Sequence, residues 1–532
     1  MNVFDLRERL VSDYANYISS FIEIQDKRIR DYVDESLKAG LLWPDPMIQL
    51  NPAFEPGRSI DELVQEGILH QGCSKIFRVD KDIDPAGKPL KLHKHQEEAI
   101  RVAKTGGNYV LTTGTGSGKS LAFIVPIVDH VLRNGSGKGI QAIIVYPMNA
   151  LANSQLGELD KFINLGYPDQ KGPVTFCRYT GQESINEKNE IVANPPDIIL
   201  TNYVMLELIL TRPWDKKLIH AAKGFRFLVL DELHTYRGRQ GADVAMLVRR
   251  TREATQATQL QCVGTSATVA GIGTYEEQQK EVAKIASSIF GDEVIPENVI
   301  GETLSRSTPE KDLSAPDFIE DLRLRVSDEN RKPPNEYQEF VNDSLSIWLE
   351  SVFGLTKDET GRLIRSQPKS ILGETGAAKI LSETTGIPSD RAIQAIEDGL
   401  LASYRCLPNP NTGFQPFAFR LHQFISRGDN VYASIEQEKS RHITVYGQQY
   451  VPGDRNKHLF PLVFCRECGQ EYYSVRQLET TPTNFVYEAR DPLDRDKDEE
   501  SEPGFLYVNT EKPWPYDPKE VLERIPDDWI EE

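Results

Sequence analysis

A glycine-rich loop between a predicted strand and a predicted helix is the feature that most restricts how this chain can fold. Residues 109–113 form an apolar run typical of a strand, Gly-Thr-Gly-Ser-Gly-Lys-Ser follows at 114–120, and an amphipathic helical pattern begins at Ser120. Glycines let the backbone curl so that its N–H groups converge, and the helix N-terminus adds partial positive charge. The sequence therefore predicts a loop that binds nucleotide phosphates.

The residues of this loop have separate expected roles. Lys119 would neutralise the β- and γ-phosphates of ATP, and the hydroxyl of Ser120 would bind Mg²⁺. Thr113 departs from the usual G-x-x-x-x-G-K-[ST] pattern, in which a glycine stands at that place. A structural turn with an incidental lysine is the alternative, but strand, glycines and helix all fall in register. The residues predicted to bind the nucleotide here are Thr115, Gly116, Ser117, Gly118, Lys119 and Ser120.

A second chemical signal follows another apolar run. Residues 227–230 predict a strand that ends in Asp231 and Glu232. A carboxylate at the carboxyl end of a strand beside a phosphate loop is placed to hold Mg²⁺. We assign Asp231 to the metal, directly or through water, and Glu232 to orienting and deprotonating the attacking water. Lys119, Asp231 and Glu232 are therefore the predicted catalytic residues.

Strand and helix patterns alternate through the region that contains both motifs. Short apolar runs recur at 109–111, 142–146, 174–179, 198–200, 227–230 and 261–263. Amphipathic segments at 120–132, 150–162, 204–210 and 242–252 separate most of them. This alternation predicts an α/β fold with a mostly parallel, doubly wound sheet.

Composition excludes several other classes of protein. With 61 Lys+Arg against 80 Asp+Glu, the net charge of −19 argues against a generally basic nucleic-acid-binding surface, while a local basic groove stays compatible. No stretch approaches the roughly 20 uninterrupted apolar residues of a membrane span, and no secretory signal is visible at the N-terminus. Six cysteines are too few for a disulfide framework, which favours a reduced, cytoplasmic setting without a membrane partner.

Together these motifs resemble the superfamily 2 helicases of the DEAD/DEAH (DExH) type, which are RecA-like P-loop NTPases. Residues 116–120 resemble their motif I, where a small residue replaces the first glycine, and Asp-Glu-Leu-His at 231–234 resembles motif II. Ser-Ala-Thr at 266–268 resembles motif III, which couples hydrolysis to movement along nucleic acid. The resemblance implies coupling roles for His234, Ser266 and Thr268, and adenine recognition by Gln96.

The same resemblance implies a surface for one strand of nucleic acid. Residues 146–155 look like motif Ia, and the pairs at 180–181 and 201–202 fall where motifs Ib and Ic contact the strand. Hydroxyls, amides and helix N-termini at strand ends suit phosphates better than bases, so binding should be independent of sequence and sensitive to salt. The predicted contacts are Pro147, Asn153, Gln155, Thr180, Gly181, Thr201 and Asn202.

The chain divides by pattern into five regions, of which one resembles a helicase motor domain. A superfamily 2 motor needs a second RecA-like domain with an arginine finger, and residues 271–532 contain no Q-x-x-G-R-x-x-R-like motif. That domain is expected from a longer chain or another subunit. The predicted regions are 1–90, a partly helical N-terminal extension; 91–270, the ATP-binding domain; 271–400, a helical insertion; 401–490, a small β-rich module; and 491–532, an acidic, proline-rich tail or a lead-in to the missing second motor domain.

The sequence-based hypothesis is an ATP- and Mg²⁺-dependent helicase or translocase that acts on single-stranded or partly duplex nucleic acid, with DNA preferred over RNA by resemblance. Two alternatives remain open. One is a nucleotide-switched module that binds nucleic acid or a partner without unwinding, and the other is an RNA helicase. A P-loop kinase or GTPase fits less well, because no Asn-Lys-x-Asp guanine reader is present.

A pair of cysteines lies in the predicted β-rich module. Cys465 and Cys468, followed by Gly469, have the tight spacing of half a zinc site. Zinc, a metal-free remnant of a zinc knuckle and redox chemistry are the three alternatives. Residues 419–424 together with the cysteine pair resemble bacterial MrfA-type helicases with a DUF1998 region, and helicases of this kind also occur in anti-phage systems such as Druantia. Candidates for the remaining zinc ligands are Cys406, His422, His442 and His458.

Overall fold

The computed structural model describes residues 2–20, 23–114, 116–267, 273–410, 413–428, 430–481, 484–494, 501–509 and 513–525. Its N-terminal region consists of two helices followed by short strands and helices. The elements are α1 (Val3–Ser19), α2 (Lys27–Lys38), β1 (Met47–Asn51), β2 (Ala53–Phe54), β3 (Pro56–Ser59), α3 (Ile60–Gln65), α4 (Cys73–Ile76), β4 (Arg78–Val79), β5 (Lys88–Pro89) and β6 (Lys91–His93).

Strands and helices then alternate over the next two hundred or so residues, as the sequence pattern predicts. The elements are α5 (Lys94–Thr105), β7 (Tyr109–Thr112), α6 (Leu121–Asn134), β8 (Ala142–Tyr146), α7 (Asn149–Ile163), β9 (Phe176–Arg178), α8 (Ile185–Ala193), β10 (Ile198–Asn202), α9 (Tyr203–Thr211), α10 (Lys216–Ala221), β11 (Phe227–Leu230), α11 (Gly238–Ala254), β12 (Gln261–Ser266), α12 (Tyr275–Phe290) and β13 (Val299–Gly301).

Seven of these strands form one sheet in the order β13-β7-β12-β11-β8-β10-β9, and every neighbouring pair is parallel. One hydrophobic core lies between the sheet and α5, α6 and α7, and a second lies on the opposite face against α9, α11 and α12. Strands covered on both faces read as continuous apolar runs, which is why the sequence revealed them. The structure confirms the predicted α/β fold with a doubly wound, RecA-like parallel sheet.

The sheet continues past residue 270, where the sequence pattern placed the end of the domain. Helix α12 packs in the second core, and β13 is hydrogen-bonded to β7 at the edge of the sheet. Strand β13 has only three residues, too few to give a recognisable apolar run. The domain built on this sheet therefore extends to about residue 301.

The next region is mainly helical and has a core of its own, which includes Trp348, Leu381 and Ile396. Phe4 of α1 packs in the same core, so α1 belongs to this accessory region, whereas Ile60 and Phe77 of the N-terminal extension pack in the first core of the parallel sheet. A π-helical turn at Glu350–Gly354 extends α15. The elements are β14 (Leu304–Ser305), α13 (Pro316–Ser327), α14 (Tyr337–Asn342), α15 (Ser344–Leu349), β15 (Leu355–Lys357), β16 (Leu363–Arg365), β17 (Lys369–Ser370), α16 (Ala377–Thr385) and α17 (Ser389–Arg405).

The C-terminal region is rich in strands. Its elements are β18 (Ala418–His422), β19 (Tyr432–Ala433), β20 (Ile443–Thr444), β21 (Tyr450–Val451), β22 (Asp454–His458), β23 (Phe460–Phe464), β24 (Glu471–Thr481), β25 (Asn484–Ala489), β26 (Ser501–Leu506) and α18 (Pro518–Leu522). Strand β1 pairs with both β17 and β18, which joins the N-terminal extension to this region.

Strand β26 lies in the tail that the sequence predicts to be irregular. It pairs antiparallel with β24 in a six-stranded sheet. Pro503 interrupts the strand pattern in the sequence. Among the described strands, β26 pairs with β24 alone, so one edge of β26 is unpaired. A proline is tolerated there because it has no N–H to donate and none is needed on the unpaired edge. Within the described residues, no helix is long and apolar enough to cross a membrane.

Candidate nucleotide site and nucleic-acid surface

The loop between β7 and α6 has the backbone conformation that a phosphate loop needs. Gly116 and Gly118 have φ values of +86° and +71°, a region that side chains disfavour. The Thr113 and Ser117 hydroxyls are 2.7 Å apart and buried, so this threonine braces the loop from within. That bond explains how a threonine replaces the usual glycine. Thr115, also predicted to bind the nucleotide, lies outside the described residues.

The predicted acidic pair lies beside the loop at the carboxyl edge of the sheet. The Thr265 hydroxyl donates to Asp231 Oδ1 and accepts the backbone N–H of Glu232 at 3.1 Å. Burial raises the pKa of Asp231, and the hydrogen bond from Thr265 opposes this shift. Thr265 belongs to no sequence motif, although its place on β12, the strand between β7 and β11, is a usable signal.

Glu232 links the phosphate loop to the residues predicted to couple hydrolysis to movement. Its Oε1 is 3.2 Å from Lys119 Nζ, and its Oε2 is 3.2 Å from His234 Nδ1 without hydrogen-bond geometry. Ser266 Oγ lies 3.3 Å from the same histidine nitrogen. The structure thus brings Lys119, Glu232, His234 and Ser266 together, whereas Thr268 lies outside the described residues.

The backbone of Glu232 is itself unusual. Its φ of +54° is one of five positive values at non-glycine residues in the described part of the chain. Such a conformation costs about 1–3 kcal/mol and is concentrated at functional sites. The Glu232 side chain that leaves this turn forms a hydrogen bond with Lys119, so the unusual backbone conformation accompanies the contact between the two motifs.

Gln96 is buried against the phosphate loop. Its Nε2 donates to the Gly118 carbonyl at 2.8 Å, and its Oε1 accepts the backbone N–H of His93 at 2.8 Å. His95 Nε2 lies 2.9 Å from the Ser117 carbonyl. Gln96 therefore joins the start of α5 to the loop, and its role in adenine recognition stays a prediction.

Residues from outside the sheet domain also contact the loop, and no sequence motif indicates them. The backbone N–H of Gly114 donates to Glu302 Oε2 at 3.1 Å. Arg365 holds that carboxylate with two hydrogen bonds of 2.6 and 2.9 Å and donates to Asn51 Oδ1 at 2.8 Å. A Cβ added to Gly116 would lie 2.9 Å from Arg420 Nη2. The accessory region therefore packs directly on the nucleotide site.

A polar groove of about 450 Å³ opens at the carboxyl ends of β8 and β10. It is lined by Pro147, Thr180, Gly181 and Asn202, four of the seven residues predicted to contact nucleic acid. The amide of Asn202 donates to Asn149 Oδ1 at 2.7 Å, and its Oδ1 caps α9 by accepting the Met205 N–H at 2.7 Å. Two cations that belong to no sequence motif, Lys188 and Arg212, also line the groove.

The other three predicted contacts do not line this groove. Thr201 is fully buried and its hydroxyl donates to the Tyr179 carbonyl at 2.7 Å, so the structure keeps it away from the surface. Asn153 and Gln155 lie further along α7, and Asn153 accepts a hydrogen bond from Arg178.

The backbone donors at the Thr180–Gly181 turn already have a partner. The Glu183 carboxylate accepts the N–H of Thr180 at 2.9 Å and that of Gly181 at 2.8 Å. A nucleic-acid phosphate that approached these N–H groups would have to replace a carboxylate held in place by Arg178. The groove's free positive charge therefore comes from its side chains, Lys188 and Arg212.

The cysteine pair does not fit a four-ligand zinc site in this structure. The Gly469 N–H donates to the Cys465 carbonyl at 2.9 Å, the tight turn that the spacing predicts. Among the described residues, no third His, Cys, Asp or Glu offers a ligand atom that groups with both thiols, so Cys406, His422, His442 and His458 do not complete the site. Partial desolvation and the neighbouring Cys465 raise the pKa of the Cys468 thiol, which is exposed, so the redox alternative stays a prediction.

Two histidines beside the phosphate loop predict a pH dependence. The His93 and His95 rings stack at 5.6 Å and both pack on Phe54. Burial, with the charge of His95 as a smaller cause, lowers the pKa of His93 from 6.5 to about 4. Between these values the unfolded chain binds more protons than the folded chain, so stability falls as pH falls through this window.

We therefore expect the free energy of unfolding to fall by about 2 kcal/mol less between pH 7 and pH 5 in His93→Asn than in the wild-type chain. Asparagine is also a good helix-capping residue, so the cap is kept. Thermal unfolding at both pH values measures this difference. The exposed His220→Asn should leave the difference unchanged, and an unaltered pH dependence in His93→Asn would contradict the assignment.

The phosphate loop follows β7, the Asp-Glu pair follows β11, and β12 lies between these two strands in the sheet. This arrangement defines a RecA-like P-loop NTPase domain. Residues 93–275 match the DEAD/DEAH box helicase family, and this part of the chain is a DEAD/DEAH box helicase domain. The match confirms the resemblance drawn from the motifs.

Individual relatives agree with that family. The Druantia protein DruE of Escherichia coli is 24% identical over 597 residues, which covers 85% of this chain and 32% of DruE. The uncharacterized ATP-dependent helicase YprA of Bacillus subtilis is 30% identical over 197 residues, 36% of this chain and 23% of YprA. The solved structure of the DUF1998 helicase MrfA bound to DNA is 22% identical with a TM-score of 0.37, covering 51% of this chain and 34% of MrfA. This chain thus spans about a third of DruE and of MrfA.

Proposed function

We propose that this chain is the ATP-binding half of a DExH superfamily 2 helicase or translocase that acts on nucleic acid, with DNA as the preferred strand. The observation that carries the proposal is the cluster of Lys119, Glu232, Asp231 and Thr265 at one edge of the parallel sheet. The polar groove at β8 and β10 opens at the same edge, because the carboxyl ends of parallel strands meet there.

The site residues divide the work of ATP hydrolysis. Lys119 binds the phosphates, and Ser120 and the partly buried Asp231 would hold Mg²⁺, which would neutralise charge on the phosphates. A partly buried carboxylate whose pKa is raised fits this role, because a neighbouring cation stabilises its charged form. Glu232 orients the attacking water and takes its proton. When phosphates engage Lys119, the ion pair with Glu232 loosens and the carboxylate becomes free to act as the base.

The proposed binding of nucleic acid depends on contacts to its sugar-phosphate backbone. Lys188 and Arg212 supply the positive charge, and Asn202 holds the start of α9 beside them. These groups suit phosphates, so binding should be independent of sequence. The preference for DNA follows the similarity to MrfA, whose solved structure is bound to DNA.

Steady-state ATPase activity of the full chain, with and without single-stranded DNA, tests this function. We expect stimulation by DNA that exceeds stimulation by RNA of the same length, and no turnover in Lys119→Ala. Stronger stimulation by RNA would support the RNA-helicase alternative. A turnover rate that Lys119→Ala does not change would contradict the assigned ATP site.

A nucleotide-switched binding module is the second candidate, and one observation favours it. The described residues contain a single seven-stranded parallel sheet, whereas a complete motor needs a second RecA-like domain. ATP-dependent binding of DNA without turnover or strand separation would identify this module. Restoration of turnover by a second RecA-like domain, from a longer chain or another subunit, would instead support the proposed helicase half.

The groove gives a direct prediction for nucleic-acid binding. Arg212→Ala should weaken single-stranded DNA binding several-fold and lower the slope of log affinity against log salt by roughly 0.7, because one fewer counterion is released. Fluorescence anisotropy at several salt concentrations measures both. Lys217→Ala, an exposed cation on α10 outside the groove, should change neither, and an equal effect of both variants would place the strand elsewhere.

A role in anti-phage defence is part of the proposal because of the similarity to DruE. It predicts that a bacterial strain carrying the complete system shows fewer phage plaques, and that Lys119→Ala removes this protection. Equal plaque numbers with the wild-type and Lys119→Ala proteins would exclude an ATP-dependent role in defence.

A further inference from the structure

A second polar groove of about 390 Å³ lies in the accessory region, away from the helicase domain. The C-terminal end of α13, the segment after it, and one face of α17 form its walls. All its lining residues lie between Arg325 and Arg405, so none belongs to the domain at 93–275. Neither ATP binding nor the proposed strand surface accounts for it.

The groove is positively charged within an acidic protein. Glu329 and Asp398 are the acidic residues among its lining side chains, against five cations. The whole chain has a net charge of −19, so a concentration of cations in one groove is not expected from composition. The cations are Arg325, Arg331, Lys332, Arg391 and Arg405.

Arg325 is a buried residue of this groove with an incomplete set of hydrogen bonds. Its Nε donates to Asp343 Oδ1 at 2.6 Å, and its Nη1 donates to the Arg331 carbonyl at 2.8 Å. Its Nη2 is buried and has no hydrogen-bond partner among the described residues. An unpaired buried donor costs free energy, and Asp343 Oδ2 of the same ion pair is also without a partner among the described residues, so a bound acceptor is one way to satisfy this Nη2.

A second guanidinium is held in place across the groove. Arg391 at the start of α17 donates from Nε to the Val326 carbonyl at 2.7 Å and from Nη2 to the Asp328 carbonyl at 3.2 Å. These bonds tie α17 to the end of α13 and fix one wall. Lys332 and Arg405 are exposed, so their charged groups are available to a ligand from solvent.

We propose that this groove binds a phosphate-bearing anion of up to nucleotide size. Guanidinium groups match phosphate oxygens with paired, charge-assisted hydrogen bonds, and a volume of 390 Å³ is in the range of small-ligand sites. The phosphate comes from a free nucleotide or pyrophosphate, or from the 5′-phosphate at the end of a nucleic-acid strand. The chemistry is the same in each case.

Calorimetric titration of pyrophosphate into the full chain carrying Lys119→Ala tests the site, because this background removes the phosphate-loop lysine. Adding Arg405→Ala or Lys332→Ala should weaken binding about tenfold, the effect of losing one charge-assisted hydrogen bond. Arg323→Ala is the control, since Arg323 is an exposed cation on α13, the helix that contributes Arg325 to the groove, but pairs with Glu320 outside the groove.

A comparison of 5′-phosphorylated and 5′-hydroxyl oligodeoxynucleotides separates the two sources. A preference for the phosphorylated strand that Arg405→Ala removes would identify a strand end, whereas pyrophosphate binding without that preference would identify a free ligand. The proposal is overturned if pyrophosphate does not bind the Lys119→Ala chain, or if Arg405→Ala, Lys332→Ala and Arg323→Ala all bind it as tightly as their parent.

Discussion

Replacing Glu232 by glutamine is expected to lower the rate of ATP hydrolysis by about 10²–10⁴-fold while ATP binding is retained. Glutamine keeps the size of the side chain and its hydrogen-bonding oxygen, but it cannot accept a proton from water. Binding should survive because Lys119 and the loop glycines, which are proposed to contact the phosphates, are unchanged. Release of the Lys119–Glu232 ion pair should even favour phosphate binding slightly.

Single-turnover hydrolysis and calorimetric ATP binding, both with Mg²⁺, separate the two effects. Glu207→Gln is the matched control, because Glu207 also pairs with a cation, Arg250, but lies on α9 outside the site. It should hydrolyse ATP at the wild-type rate. A Glu232→Gln protein that hydrolyses ATP within threefold of wild type would show that another group acts as the base.

Much of the sheet could be predicted because its strands are buried on both faces. The run at 142–146 matches β8 in full, and the run at 227–230 matches β11. Strand β13 was missed because three residues give no periodic signal, and β26 because Pro503 and Gly504 interrupt its pattern. Long-range pairing decides both strands, and a single sequence does not contain that information.

The nucleotide site was predictable where one local segment carries the chemistry. Lys119 and Asp231 were found from a strand followed directly by a motif. Glu302 and Arg365 were not, because they reach the loop from segments far away in the chain and meet it only in the folded structure. Thr265 is an intermediate case. It directly precedes the Ser-Ala-Thr motif in the sequence, but its contact with Asp231, which follows the neighbouring strand β11, is seen only in the folded structure.

The nucleic-acid surface shows a different limit. Motif resemblance located Asn202 and Thr180 in the groove, but it did not distinguish them from Thr201, whose side chain points to the opposite face of β10 and is buried. Successive residues of a strand alternate between faces, so a two-residue motif at a strand end places its members in different surroundings. Lys188 and Arg212 belong to no motif and emerged only from the shape of the groove.

Gly118→Ala is expected to weaken ATP binding by more than tenfold. The φ of Gly118 is +71°, and an added Cβ would lie 2.5 Å from Gln96 Nε2. The substitution therefore costs about 1 kcal/mol in backbone strain and also displaces Gln96, which bonds the Gly118 carbonyl at 2.8 Å. Displacement of Gln96 would change the shape of the loop that surrounds the phosphates.

Gly224→Ala separates the two causes, because Gly224 has a nearly identical φ of +70° and an added Cβ there meets nothing within 4 Å. Both variants should lose similar stability from backbone strain, but only Gly118→Ala should lose ATP affinity, measured by calorimetry with Mg²⁺. If Gly118→Ala bound ATP as tightly as Gly224→Ala, the contact between Gln96 and the loop would not shape the nucleotide site. The expected difference between them measures how strongly the start of α5 supports the phosphate loop.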